Sequence, residues 1–210
     1  MAVTIARWLF GLLMLFEALN FVRILRLTVV YTWFGLIITV LAIWLTMELT
    51  HRRRPHRPVA WFLALIAVAA DAAGDIFKLY DIIPHYDKYM HFSISGVGVI
   101  VVTLMTWRYR PVLMARDYLL SLTSIVAVGA LYELEEFWES AFFHTNRWGG
   151  GSDSMTDMTA NMAGALLAFG IVWFATRPRT PTLLPPAGRT LQPSATSRRP
   201  APDGGPAGPS

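Results

Sequence analysis

The stretch YDKYMHFSISGVGVIVVTLMTW (86–107) puts an acid, a lysine and a histidine into its first six residues, then runs sixteen residues without a charge. A bilayer's hydrocarbon core is about 30 Å thick and takes about 20 helical residues to cross. A segment of this length with its ionisable groups at one end reads as a membrane helix whose polar end approaches one face.

Working outward, the same reading applies along most of the chain. Six spans are expected, at roughly 4–22, 27–47, 59–79, 88–107, 117–138 and 156–176. The third carries Asp71 and Asp75, and the fifth carries the run from Glu133 to Glu139. The loop HRRRPHRP (51–58) is the clearest boundary, because Pro55 and Pro58 stop a helix running through it. The whole chain is 54% hydrophobic and 15% charged, against about 25% charged in a soluble domain. The expected fold is an all-α polytopic membrane helix bundle. Arginines fall in short clusters between apolar runs, which is a topology signal rather than a nucleic-acid footprint. With no cysteine, there is no disulfide, thiolate nucleophile or cysteine-ligated metal.

Nine of the 13 prolines and four glycines lie in 178–210, without an aromatic residue. Such a segment buries too little apolar surface to offset its ordering entropy. Two regions are therefore expected: a six-helix transmembrane domain, 1–177, and a disordered Pro/Gly-rich cytoplasmic tail, 178–210. With the N-terminus inside, 13 Lys and Arg residues fall on the inner side and five on the outer. That split puts both termini in the cytoplasm, in an inner (cell) membrane protein. Trp8, Trp44, Trp61, Trp107 and Trp173 then lie near inner ends and Trp138 near an outer end, as interfacial belts do. The first span lacks a small-x-small cleavage site and reads as an uncleaved helix rather than a signal peptide.

On this topology most acids fall in the outer half of the membrane. Asp71/Asp75, Asp87/His91 and Asp157/Asn161 are each four residues apart and share a helix face. Glu133 and Glu136 are three apart, and Gly129 continues their stripe inward. A charge at the bilayer centre costs about 2.5–3.5 kcal/mol on insertion scales. Several such groups should therefore face one another around a polar cavity rather than face lipid. Asp71, His91, Glu133 and Asp157 are the expected shared site, with Asp75, Lys88 and Asn161 around it. Asp81, Glu135, Glu139 and Asp153 read instead as acids solvated at the headgroup level. Ser95, Gly96 and Gly98 in one span, and Ala160, Gly164 and Ala168 in another, are small residues that allow close helix packing.

The runs YDKYMHF (86–92), YELEEFW (132–138) and SDSMTDMTANMAGAL (152–166) together resemble the YjdF-like inner-membrane protein family. Its pattern is Tyr-Asp-(Lys/Arg)-x-x-His-Phe, then Glu-x-x-Glu, then Asp-x-x-x-Asp-Met with Gly-Ala further on. The matching positions are Asp87, Lys88, His91, Glu133, Glu136, Asp153, Asp157, Met158, Gly164 and Ala165. More distantly the chain is similar to VanZ-like proteins, through Asp-Lys-x-x-His and an Asp-x-x-x-Asn-x-x-Gly matched by Asp157, Asn161 and Gly164. Asp71 and Asp75 stand where the first family usually carries a His-Glu pair. The resemblance implies a fold and a residue set, and no particular reaction.

Two readings of the site follow. In the first, the acids and His91 hold a divalent cation (Mg²⁺, Mn²⁺, Ca²⁺ or Zn²⁺) that activates water against a lipid or lipid-linked substrate. Even without a metal, His91 paired with Asp87, Glu133 or Glu136 is a candidate general base, and Lys88 a candidate phosphate contact. In the second, the same groups bind an ion or ligand, carry protons, or fix the bundle without catalysis. A transporter of this size would need oligomerisation, since no internal repeat is present.

Overall fold

The structure, a computed structural model, describes residues 1–22, 30–53, 57–107, 113–144 and 148–176. The expected tail, 178–210, lies outside the described residues. Among the described residues seven helices are present: α1 (Ala2–Phe21), α2 (Val30–Arg53), α3 (Pro58–Ile76), α4 (Leu79–Ile82), α5 (Tyr86–Trp107), α6 (Ala115–Phe143) and α7 (Gly151–Thr176). Among the described residues, α1, α3, α5, α6 and α7 are long and apolar enough to cross a membrane. The second expected span, 27–47, begins outside the described residues, and α2 carries the remainder. All seven helices belong to one unit, Met1–Pro178.

Local chemistry sets the helix ends. Pro58 opens α3 after Arg57 in extended conformation, the position where a missing N–H costs nothing. The Asp117 carboxylate accepts the Met114 N–H at 2.8 Å and closes the start of α6. Lys78 takes a left-handed conformation (φ 54°), which ends α3 three residues before the expected limit. The single turn of α4 then folds back beside α3. Helices α6 and α7 run past the expected 117–138 and 156–176. Their extensions carry acids on buried faces, so hydropathy falls while packing continues.

One end of the bundle is held by a charged knot. Arg7 of α1 and Arg52 of α2 reach Glu48 at 2.8 and 2.9 Å. The Arg7 guanidinium lies 5.5 Å from the Trp61 ring centre, and the Trp61 indole N–H donates to His51 Nδ1 at 3.3 Å. Trp61 is fully buried, against Phe10. It is a core residue of the bundle. The start of α1, the end of α2 and the start of α3 meet here, so these helices alternate in direction.

Helices α5 and α7 make the closest pairing. A Cβ on Gly164 would overlap the Phe92 carbonyl, and one on Gly96 would lie 3.3 Å from the Gly164 carbonyl oxygen. The two backbones touch because neither side chain is present, as small-residue packing in membranes requires. Val99, Ala165 and Ala168 close the core beneath this contact, with Ile125 of α6 set against Gly98.

Gly164→Ala should force α5 and α7 apart, at about 1–3 kcal/mol or more, since the obstacle is backbone rather than a flexible side chain. Gly170, on the same helix, has open space where a Cβ would go, so Gly170→Ala should be neutral or stabilising by up to about 1 kcal/mol. Thermal unfolding of both variants in detergent checks this; equal midpoints would refute the contact.

Candidate functional site

The α5–α7 contact brings the polar end of α5 against the first turns of α7. Lys88 and His91 lie one turn apart on α5, and Asp153, Asp157 and Asn161 descend α7 at four-residue steps. The Lys88 ammonium sits among three aspartates: Asp153 Oδ1 at 2.5 Å, Asp157 Oδ1 at 2.6 Å and Asp87 Oδ2 at 3.0 Å. The contacts to Asp153 and Asp87 have hydrogen-bond geometry. Asp157 Oδ1 is an ion-pair partner without that geometry, so its lone pairs are not well used.

His91 is buried. Its Nδ1 lies 3.3 Å from Asn161 Oδ1, which also accepts the Ser95 hydroxyl at 2.7 Å. An amide oxygen only accepts, so this contact places the proton on Nδ1. Nε2 then faces Asp87 Oδ1 at 3.4 Å, Glu133 Oε1 at 3.7 Å and Asp157 Oδ1 at 3.8 Å. His91 thus meets carboxylates from α6 and α7 as well as its own helix. The Tyr132 ring packs edge-on to it, with centres 5.8 Å apart.

Ligand atoms of Asp87, His91 and Asp157 all lie within 4.8 Å of one another. Donors held about 2.0–2.6 Å from one cation sit roughly 3–4 Å apart, so the spacing suits a divalent ion. Glu133 lies outside that group, with Oε1 3.7 Å from His91 Nε2. It is buried at 6% exposure, and neither carboxylate oxygen has a hydrogen-bond partner. Glu136 is also buried on this face of α6, and its charge acts on His91. Five carboxyl groups, Asp87, Asp153, Asp157, Glu133 and Glu136, thus accompany one lysine and one histidine.

Asp71 is placed otherwise. Its Oδ1 accepts the Tyr80 hydroxyl at 2.5 Å, and it is not in the Asp87–His91–Asp157 group. Burial first, then the Asp71 charge, raise the Tyr80 phenol above its ordinary range, so it stays a donor. Asp75 also acts on Tyr80. Of the expected set, His91, Glu133, Asp157, Asp87, Lys88 and Asn161 come together, with Glu136 beside them; Asp71 and Asp75 stand near α4.

Two features escaped the sequence reading. Asp153 is bound by Lys88 instead of simply solvated, although its four-residue step from Asp157 was visible. Ser95 is the hydroxyl that fixes Asn161, although as a small residue it read as packing alone. Lys88, read as a contact for phosphate, is occupied by aspartates. Two apolar hollows, about 620 Å³ along Leu166–Ala175 of α7 and about 120 Å³ between α3 and α5, are lined neither by His91 nor by a carboxylate.

Long apolar helices closing over an Asp/His/Lys cluster define a multi-pass membrane protein. A family model described as Predicted membrane protein (DUF2238) matches residues 5–178, and the chain belongs to that family. No curated protein and no solved structure matches the chain.

Lys88→Met should destabilise the protein by about 1–3 kcal/mol. That is below the about 3–5 kcal/mol for breaking a fully buried pair, because Lys88 is 25% exposed and two of its partners are more open still. Asp153→Asn removes one acid of three and should shift the thermal midpoint less. A midpoint in Lys88→Met equal to wild type would mean the lysine is not a structural counter-charge.

Proposed function

We propose that the cluster is a divalent-cation centre in a membrane-embedded protein, acting in metal-dependent chemistry on a lipid or lipid-linked substrate. The observation that carries this reading is Glu133, a buried carboxylate with no hydrogen-bond partner on either oxygen, 3.7 Å from His91 Nε2. A buried carboxylate without hydrogen bonds is strongly unfavourable. Asp87, His91 and Asp157 supply the remaining ligand atoms, and Asn161 with Ser95 holds the imidazole in the tautomer that presents Nε2, a usual arrangement around metal-bound histidine. One nitrogen among oxygens favours Mn²⁺ or Zn²⁺ over the purely oxygen-loving Ca²⁺ and Mg²⁺. When bound, such an ion lowers the pKa of water and polarises a phosphoryl or carbonyl oxygen. Glu136, outside the ligand set, would then take the proton-handling role.

A second reading has its own observation. Lys88 already provides a cation between Asp87, Asp153 and Asp157. This supports a non-catalytic centre that binds an ion or ligand, or braces the bundle. Metal analysis of the purified, chelator-washed and reloaded protein separates the two. The first reading expects one divalent ion per chain, with affinity at least about tenfold lower in His91→Gln and Glu133→Gln. No stoichiometric metal in the wild type removes the first reading and leaves the second.

We further propose six crossings with both termini in the cytoplasm and a separate tail from residue 178. The lysine and arginine split supports this, as does the Arg7–Glu48 ion pair, which sets α2 antiparallel to α1. The absence of native cysteine allows a clean test. Ser152→Cys should react with an impermeant thiol reagent in intact cells and His56→Cys should not. The reverse labelling would invert the topology.

A further inference from the structure

We propose that Lys88 is a resident counter-cation that a divalent ion must displace. The ammonium and the metal compete for Asp157 and Asp87, and Asp153 holds the lysine once the metal is in. This inference rests on the reading of the cluster as a divalent-cation centre and adds the regulation of that centre.

The competition follows from the atoms that are shared. Lys88 Nζ lies 2.6 Å from Asp157 Oδ1, and that same oxygen is 3.8 Å from His91 Nε2. Asp87 is divided in a similar way, with Oδ2 3.0 Å from Nζ and Oδ1 3.4 Å from Nε2. Two of the three ligand-spaced residues, Asp87 and Asp157, are therefore in contact with an ammonium. A metal ion at carboxylate bonding distance from Asp157 Oδ1 would stand within about 5 Å of Nζ. The Asp157 side chain is 1% exposed, so little solvent lies there to screen two cations from each other. Glu133, with no hydrogen-bond partner on either oxygen, faces Nε2 at 3.7 Å and supplies a further carboxylate to the incoming ion.

Lys88 has a place to go. Its contact with Asp157 Oδ1 lacks hydrogen-bond geometry, whereas its contact with Asp153 Oδ1 has it, at 2.5 Å. Asp153 is outside the ligand-spaced group, and its side chain is 35% exposed. It precedes Asp157 by one turn of α7. The flexible four-carbon stem of a lysine lets the ammonium pivot away from the buried oxygen while keeping the open one. Lys88 is itself partly exposed, so this movement leads toward the surface of the bundle and opens the ligand set behind it.

Titration of Mn²⁺ into the chelator-washed, full-length protein in lipid nanodiscs tests the proposal. Lys88→Met removes the competing charge and should bind Mn²⁺ at least about fivefold more tightly than wild type, the lower end of couplings between two ligands. A second measurement uses the wild-type chain alone. The sequence holds one other lysine, Lys78, which is exposed, so acylation read by mass spectrometry reports each side chain separately. Mn²⁺ should speed the labelling of Lys88 and leave that of Lys78 unchanged. This labelling needs no variant, so it decides even if Lys88→Met does not fold. Equal or weaker Mn²⁺ binding by Lys88→Met overturns the exchange, and so does Lys88 labelling that Mn²⁺ leaves unchanged. If wild type still binds Mn²⁺, either result leaves the divalent-cation centre standing. No Mn²⁺ on either protein removes both.

Discussion

The contact of the α5 and α7 backbones at Phe92, Gly96 and Gly164 sets the distance on which the polar end of the bundle depends. Lipid surrounds helices as readily as other helices do, so no hydrophobic force selects this pairing, and close backbone approach must supply the specificity. With α5 and α7 held at glycine separation, short side chains can bridge them. Ser95 reaches Asn161, Asn161 reaches His91, and Lys88 reaches Asp153 and Asp157. An alanine in place of Gly164 would disturb every one of these contacts without touching a charged residue.

Charge is then distributed by helix end. Arg7, Glu48 and Arg52 form a compact ion-paired knot at one end of α1 and α2. The other end of the bundle collects acids in excess of bases, and divides them into two groups. One is organised by Lys88 and His91, the other by Tyr80. The first contains cations and ligand-spaced donors, and in the second the Tyr80 hydroxyl donates to Asp71.

Much of this was legible in the sequence, because a buried charge in a membrane is conspicuous. The apolar runs located the long helices, and four-residue spacing put Asp87 with His91 and Asp157 with Asn161. Spacing does not say which helices are neighbours. Asp71 lies at about the right depth for the His91 group, but α4 turns back after Lys78 and places Tyr80 over it. Nothing in the hydropathy of LYDI announces that turn. Asp153 and Glu139 looked like solvated ends because hydropathy falls around them, yet Asp153 is gripped by Lys88 and Glu139 is buried. Local polarity misreads positions where an acid is buried or paired across helices.

Helix α6, at 29 residues, is about 43 Å long at 1.5 Å per residue, well beyond a hydrocarbon core of about 30 Å. Its final turns carry Trp138 stacked on Phe142, both exposed to the surroundings, and such aromatics prefer the headgroup layer. Trp138 follows Glu136 by two residues and Glu133 by five, so the aromatic anchor fixes the height of both acids relative to the lipid boundary. A thinner bilayer would leave these acids closer to water, and a thicker one would draw them deeper. Membrane thickness thereby becomes a variable that sets the hydration of the centre, through tilt of a single helix.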